Sequence, residues 1–267
     1  MVPKASADTR NPLLPSWRIS IDCSSSLFSL ASRWESNRRN ALGTVILIRH
    51  ARSTANAEAI LAGQSPGVRL DPTGLEQSKK LAHTLGAIPV SRVFVSPLER
   101  CMDTIAPWLA EFGNGVSVQS EPRIIEPNYG LWSGRKLEEL ALESLWSDVQ
   151  QNPAQVIFPK GEKFMDVWER VHEFFIHLKE IASEDGTYIV VSHGDIIKFL
   201  IANILNIEFK NFQSLVVEPG SISIAQFVEG NARLLQYNRS EQDIKSFVGN
   251  LSKPTLGGEQ HRGTKHA

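Results

Sequence analysis

Two short apolar runs constrain the fold of this 267-residue chain more than any other feature of its sequence. Thr44–Ile48 (TVILI) and Thr187–Val191 (TYIVV) are continuous and rich in β-branched residues, a pattern typical of buried parallel strands. The first run leads into His50 and the second into His193. Because a continuously apolar strand must be covered on both faces, the two runs predict a sheet that lies between two layers of helices.

The segments between and after these runs alternate in the same way. Further short strands are predicted at 92–95 and 116–118, and a late hairpin at 221–228 and 232–237. Helical spacing of apolar residues predicts helices at 71–83, from Pro97 onward, at 136–149, at 162–183 and at 195–205. The order of elements predicts an α/β domain with a largely parallel central sheet flanked by helices on both faces.

The two ends of the chain differ from the middle in composition. Residues 1–43 are rich in serine and show no sustained helical or strand period, and residues 239–267 end in a glycine- and histidine-containing segment. The sequence therefore predicts one domain at 44–238 between two poorly ordered tails, 1–43 and 239–267.

Composition excludes several classes of protein. The formal net charge is −1, whereas dedicated nucleic-acid binders usually carry a strong basic excess. Two cysteines, Cys23 and Cys101, are too few for a disulfide framework, so we expect a reducing, cytoplasmic location. No apolar stretch approaches the roughly 18 residues that a membrane span requires.

Charged and histidine side chains follow the predicted strands at the point where each strand ends. Arg49 and His50 follow the first strand, His193 follows the later one, and Arg100 opens the helix after strand 92–95. The carboxyl ends of parallel strands share one edge of the sheet, where α/β proteins bind ligands. A single histidine there would more often be structural; the repeated placement beside arginines favours an anion site.

Two arginines and two histidines without a metal-binding cluster predict a phosphate pocket. Phosphoryl transfer mainly requires in-line positioning and stabilisation of the phosphoryl oxygens, which guanidinium groups provide. A neutral imidazole can act as the nucleophile. Glu126, at the start of a Gly- and Trp-containing loop, is the best candidate for the proton donor to the leaving group, although composition alone fits a surface loop equally well.

Five motifs in a fixed order resemble those of the histidine phosphatase superfamily, the phosphoglycerate-mutase-like fold. The motifs are LIRHARSTAN at 47–56, LDPTGLEQ at 70–77, SPLERCMDT at 96–104, EPNYGLWSG at 126–134 and VSHGD at 191–195. The segments GQSPGVRLD and SHGDIIK look most similar to a bacterial, actinobacterial-type subgroup of this superfamily. The resemblance covers nearly all of 44–238.

The resemblance implies a role for each matching residue. His50 matches the nucleophile that becomes phosphohistidine, and Glu126 matches the acid that protonates the leaving oxygen. Arg49, Arg100 and His193 match the groups that hold the phosphoryl. Asn56 matches a residue that lines the phosphate or substrate pocket, and Gly194 matches a position where the backbone approaches the phosphate. The phosphatase reaction of the family requires no metal and no diffusible cofactor.

One departure from the family pattern concerns the residue after the nucleophile. The family usually has glycine there, and this chain has Ala51. If the position required a positive φ, alanine would be strained; if only a small side chain is required, a methyl group is tolerable. We expect it to be tolerated.

Three functions remain open at this stage. The first is a phosphatase that acts on a small phosphorylated metabolite, with neither nucleic acid nor membrane as a partner. The second is a phosphoglycerate-type mutase, which would need a more closed pocket to exclude water. The long insertion associated with cofactor-dependent mutases is not apparent between Glu126 and His193, which favours hydrolysis. The third is a phosphate-binding regulatory module that has lost turnover, suggested only by Ala51. The sequence identifies neither the phosphoester nor the oligomeric state.

Overall fold

The structure, a computed structural model, describes residues 42–182, 186–228 and 231–240. Within it, β1 begins at Leu42 and β6 ends at Arg239, just outside the predicted domain limits of 44 and 238. The rest of the two predicted tails lies outside the described residues. No helix in the described ranges is both long enough and apolar enough to cross a bilayer.

Strands and helices alternate along most of the chain. The strands are β1 (Leu42–Arg49), β2 (Arg92–Val95), β3 (Ser117–Ser120), β4 (Gly186–Ser192), β5 (Ile222–Val228) and β6 (Asn231–Arg239). The α-helices are α1 (Thr54–Ala57), α2 (Pro72–Leu85), α3 (Glu99–Glu111), α4 (Leu137–Leu140), α5 (Ser144–Gln151), α6 (Phe164–Ile181) and α7 (Gly194–Leu205). Short 3₁₀ turns lie at Pro122–Ile124, Gly130–Trp132, Pro153–Gln155 and Phe209–Ser214.

The six strands form one sheet in the order β3-β2-β4-β1-β5-β6. The pairings from β3 through β1 are parallel, whereas β5 pairs antiparallel with β1 and with β6. The two apolar runs identified in the sequence, β1 and β4, are therefore neighbours at the centre of the sheet. This confirms the predicted largely parallel sheet, with the late hairpin as its antiparallel edge.

Alternate residues of the central strands pack into two separate hydrophobic layers. Val45 and Leu47 of β1 belong to a core shared with α6 and α7, whereas Ile46 and Ile48 belong to a second core shared with α2 and α3. Because successive side chains of a strand point to opposite faces, these cores lie on opposite faces of the sheet. The predicted three-layer arrangement is confirmed.

Two predicted helix positions differ from those observed. The helix expected from Pro97 begins at Glu99, because the Ser96 N–H still bonds to the Val191 carbonyl and Leu98, the residue before the helix, has extended backbone angles. The helix expected over 136–149 is two helices, α4 and α5. Each buries its own apolar side chains, and a turn between them allows the direction of the chain to change.

Candidate active site

The two predicted histidines lie side by side where the central strands end. Arg49 of β1 is paired in register with Ser192 of β4, and the His50 N–H bonds to the Ser192 carbonyl at 2.8 Å. The imidazole rings of His50 and His193 have their centroids 5.2 Å apart and meet edge to face. Parallel pairing of β1 and β4 thus brings together two residues that are distant in the sequence.

The hydrogen bonds of His50 fix which of its nitrogens is available. Nδ1 lies 2.8 Å from the Ala51 carbonyl oxygen, to which it can only donate, so the neutral ring carries its proton on Nδ1. The Arg100 Nε–H approaches the other nitrogen, Nε2, at 3.2 Å. Burial, together with the positive charge of Arg100, holds the pKa of His50 well below its usual value. His50 is therefore a neutral imidazole with an unprotonated Nε2.

His193 is enclosed by polar partners. Its Nε2 lies 2.7 Å from Ser96 Oγ, and its Nδ1 lies 3.0 Å from Glu126 Oε2 and 3.2 Å from Arg100 Nη2. Burial and the nearby Arg100 hold the pKa of His193 well below its usual value. This imidazole is neutral too, and it lies between Glu126 and Arg100.

Arg100 and Arg49 are both buried at this edge of the sheet. Arg100 Nη2 donates to the Gly63 carbonyl at 2.9 Å, while its Nη1 has no hydrogen-bond partner among the described residues. Arg49 Nη1 donates to the Val217 carbonyl at 2.7 Å. A buried guanidinium with an unused donor is suited to binding an oxyanion.

Residues 217–221, the segment before β5, hold the end of β1 in place. The Gly220 N–H bonds to the carbonyl oxygens of Arg49 and His50, and the Arg49 N–H bonds to the Ser221 carbonyl. Together with Val217, this segment fixes Arg49 through both its backbone and its side chain. Val217, Gly220 and Ser221, which hold Arg49 in place, were not predicted to be site residues.

Glu126 contacts both His193 and Arg100. Its Oε2 is 3.0 Å from His193 Nδ1 and 3.9 Å from Arg100 Nη2, and its Oε1 is 3.2 Å from the Tyr129 hydroxyl. Burial raises the pKa of Glu126 to about 6, against the opposing attraction of Arg100 and Arg49. A carboxyl group with this pKa can both give and take a proton near neutral pH.

A small pocket opens beside these groups. His50, Arg100, Glu126 and Asn56 all border it, together with the segment 60–63. The Asn56 side-chain carbonyl accepts hydrogen bonds from the Ser53 N–H and hydroxyl, which caps α1 and holds Asn56 at the rim. Gly194 begins α7 directly after His193, although it does not border the pocket.

The loop after α1 is attached to the acid and to the arginine at once. Gly63 accepts the Arg100 bond, and Gln64 Nε2 donates to the Glu126 backbone carbonyl at 2.8 Å. Gly63 has a φ of +53°, a conformation that favours glycine. Arg69, farther along the chain, forms a two-point ion pair with Asp103 at the surface.

The positions of the donor atoms also raise the question of a metal. His50, Glu126 and His193 each offer a ligand atom, and these atoms lie within 4.8 Å of one another. However, the buried cations Arg49 and Arg100 lie in the same site, and they favour an anion over a metal cation. The expectation that this site works without a metal stays a prediction that these charges favour.

Ala51 has an ordinary backbone conformation. The non-glycine residues with positive φ in the described part of the chain are Ala59, Lys160, Asn206 and Asn238, so Ala51 is free of this strain. Its side chain is buried, and its N–H bonds to Thr104 Oγ1 at 2.9 Å. The alanine is accommodated, as we expected.

Sequence reasoning missed four polar residues in or behind the site. Ser96 bonds to His193, and Tyr129 contacts both Glu126 and Asp195. Lys198 forms an ion pair with Asp195 inside the otherwise apolar helix α7. The signal for this pair was an acid and a base three positions apart in an apolar helix; nothing in the sequence connected them to Tyr129.

Comparison with protein families matches residues 45–240 to the histidine phosphatase superfamily (branch 1). Phosphoserine phosphatase 1 of Hydrogenobacter thermophilus is 32% identical over 203 residues, which cover 73% of this chain and 91% of that protein. The 2,3-bisphosphoglycerate-dependent phosphoglycerate mutase of Thermoplasma acidophilum is 27% identical over 203 residues, which cover 76% of this chain and 96% of that protein.

A solved structure gives the same result at the level of the fold. The alpha-ribazole phosphatase of Shigella flexneri superposes with a TM-score of 0.65 at 26% sequence identity, over 75% of this chain and all of that one. The region matched to the family, 45–240, includes every residue that the motifs singled out.

Proposed function

Since the chain belongs to the histidine phosphatase superfamily, we propose that it is a phosphatase that hydrolyses a small phosphorylated metabolite through a phosphohistidine on His50. The observation that carries the proposal is the state of His50: Nδ1 is held by the Ala51 carbonyl, and the unprotonated Nε2 lies 3.2 Å from Arg100 Nε. A nucleophile is thereby directed toward the place where a guanidinium would bind a phosphoryl oxygen.

The first step transfers the phosphoryl group to the enzyme. The Nε2 lone pair of His50 attacks phosphorus, and an N–P bond forms as the ester P–O bond breaks on the opposite side. Arg49, Arg100 and His193 bind the non-bridging oxygens, and Asn56 lines the pocket beside the phosphoryl group. Glu126 gives its proton to the leaving oxygen, which departs as an alcohol.

The second step releases phosphate. Glu126, now a carboxylate, takes a proton from a water molecule whose oxygen attacks phosphorus. The N–P bond breaks, its electron pair returns to His50 Nε2, and inorganic phosphate leaves. Glu126 is protonated again, so the cycle consumes one water molecule and requires neither a metal nor a cofactor. A pKa of about 6 suits Glu126 to both steps.

The alternative function is a mutase, and one observation favours it: a relative with high coverage is a phosphoglycerate mutase. A mutase would return the phosphoryl group to the bound product instead of giving it to water. Inorganic phosphate without an isomerised product would decide for hydrolysis. Conversion of one phosphoglycerate isomer into another without phosphate release would decide for the mutase.

The direct test is a phosphate-release screen over a panel of phosphorylated metabolites, including O-phosphoserine, phosphoglycerates and 4-nitrophenyl phosphate. We expect His50→Ala to abolish turnover, whereas His83→Ala, which changes an exposed histidine at the end of α2, should keep it. A brief exposure to substrate followed by denaturation at alkaline pH, where the N–P bond of a phosphohistidine is stable, should trap phosphate on the wild-type chain only. Full turnover by His50→Ala would exclude the mechanism, and a wild type that shows neither turnover nor a phosphoenzyme would favour the regulatory module.

The expected partner is a small phosphorylated molecule, in keeping with the small pocket. We propose no nucleic-acid or membrane partner, because a chain of net charge −1 lacks the basic excess that such partners usually require. The cytoplasmic location stays a prediction from the cysteine content.

A further inference from the structure

Two charged residues of α7 are buried behind the site and have no part in the two steps described above. Asp195 is 0% exposed and Lys198 is 2% exposed. Their neighbours on the helix, Ile196, Ile197 and Phe199, belong to the hydrophobic core. Burying such a pair costs several kcal/mol of desolvation, about as much as the attraction within it returns, so stability alone does not account for the pair.

The contacts of the pair hold its charges in place. Lys198 Nζ lies 3.4 Å from Asp195 Oδ1, donates to Gln213 Oε1 at 2.9 Å and lies 5.6 Å from the centre of the Phe212 ring. Asp195 is also in the first turn of α7, where the helix N-terminus stabilises a negative charge. Asp195 is therefore held as a carboxylate.

Tyr129 connects this carboxylate to the acid of the site. Its hydroxyl lies 3.0 Å from Asp195 Oδ2 and 3.2 Å from Glu126 Oε1. A phenol has one proton and can donate to only one of these oxygens at a time. The charged, closer Asp195 is the stronger acceptor, so the proton points to Asp195 and the phenol oxygen presents its lone pairs to Glu126.

We propose that Tyr129, oriented by the Asp195–Lys198 pair, is a positioning residue that accepts the hydrogen bond of the protonated Glu126 and so keeps this group in its proton-donating form. The inference rests on the proposed function, because it concerns the acid of that reaction. It also accounts for the buried ion pair, because the charge of Asp195 determines whether the Tyr129 hydroxyl donates to Glu126 or accepts from it.

The other charged groups that face Glu126 act in the opposite direction. Arg100 lies 3.9 Å from Glu126 Oε2, and Arg49 and Arg170 also attract the ionised form. Arg170 Nη2 in addition approaches the Glu126 backbone carbonyl at 3.5 Å. His193, which contacts the same carboxyl, is held neutral by burial and by Arg100. Against these cations, a hydrogen-bond acceptor is what a neutral carboxyl group requires.

The sign of one shift tests the proposal. In Tyr129→Phe, the neutral form of Glu126 loses its acceptor, so its pKa should fall by about one unit, the equivalent of one hydrogen bond. If Tyr129 instead donates to an ionised Glu126, the same substitution should raise the pKa. Carbon-13 NMR titration of the glutamate carboxyls measures the shift, with Glu126→Gln to assign the signal.

Asp195→Asn is the second variant. It keeps the shape of the side chain and removes the charge that orients the phenol, so Tyr129 can turn its proton to Glu126 and the pKa of Glu126 should fall in this variant too. The two substitutions act through one hydroxyl, so in the double variant their effects should be clearly less than additive. Tyr188→Phe, whose hydroxyl bonds to the Ile181 carbonyl away from the site, should leave the titration unchanged.

The kinetic readout compares leaving groups. An alkyl phosphate such as O-phosphoserine needs a proton donor more than 4-nitrophenyl phosphate does, because the nitrophenolate is a stable leaving group. Tyr129→Phe should therefore lower the alkyl-to-aryl ratio of kcat at pH 7 by about tenfold, while a loose or misfolded site would lower both rates together.

The outcomes separate the two claims. A folded Tyr129→Phe or Asp195→Asn protein in which the pKa of Glu126 is unchanged or raised would overturn the role of Tyr129, whatever the enzyme hydrolyses. Absence of His50-dependent turnover in the wild type would instead overturn the proposed function, while the NMR titration would still report on the hydrogen bond.

Discussion

Replacing Glu126 with glutamine should make the protein less active and more stable at the same time. Glutamine has nearly the shape of a protonated glutamate, but it cannot give or take a proton. Turnover of an alkyl phosphate should therefore fall by roughly 10²–10⁴, the usual contribution of a general acid–base. Hydrolysis of 4-nitrophenyl phosphate should fall less in its first step, because its leaving group needs no proton.

The gain in stability follows from the pKa of Glu126, which burial raises from 4.5 to about 6. Between these values the unfolded chain has lost the proton that the folded chain still holds, so a rise in pH favours the unfolded state. Above pH 6 the accumulated cost is about 2 kcal/mol, since one pKa unit corresponds to about 1.4 kcal/mol. Glutamine, which never ionises, is free of this cost.

Urea unfolding of the wild type and of Glu126→Gln at several pH values measures the difference directly. We expect glutamine to raise the free energy of unfolding by up to about 2 kcal/mol at pH 7.5, and the difference to vanish near pH 4. Comparison at equal pH cancels the contributions of all other titrating groups. A Glu126→Gln protein that is no more stable than the wild type at pH 7.5 would contradict the idea that burial raises the pKa of Glu126 in the folded protein.

Two further predictions concern the residues around this acid. Burial keeps His50 and His193 neutral, so as the pH falls below their ordinary value of 6.5 the unfolded chain takes up protons that the folded chain refuses. The free energy of unfolding should drop by about 1.4 kcal/mol per pH unit for each histidine, and His50→Ala should remove one of the two contributions to the slope; an unaltered slope would refute this. Ala51→Gly should bring no increase in turnover and should cost about 0.5–1 kcal/mol of stability in urea, because Ala51 has no positive φ to relieve; a severalfold gain in turnover would be the contrary result.

Much of the fold could be predicted from the sequence because the strongest signals come from the most buried elements. The runs that form β1 and β4 are nearly continuous apolar segments, and a strand covered on both faces requires such a pattern. His50 and His193 then followed from topology, since parallel strands present their carboxyl ends at one edge. The ends of the helices were predicted less well. The segment 136–149 has helical spacing throughout, and tertiary packing decides where the chain turns between its two helices.

The site residues that were missed share a different property. Ser96, Tyr129 and Asp195 act through contacts with residues far away in the sequence. Tyr129 stands in an aromatic loop, where packing is the simplest explanation of a ring. Local periodicity carries no information on which distant carbonyl or carboxylate a side chain will reach.

The contacts that residues 217–228 make with β1 have a consequence for folding during synthesis. All five predicted catalytic side chains, from Arg49 to His193, have been synthesised well before residues 217–228, yet those later residues hold Arg49 in place and pair with its strand. A nascent chain that has reached only His193 contains all five side chains but lacks the residues that hold Arg49 in place. We therefore expect the site to be assembled only after residues 217–228 have been synthesised.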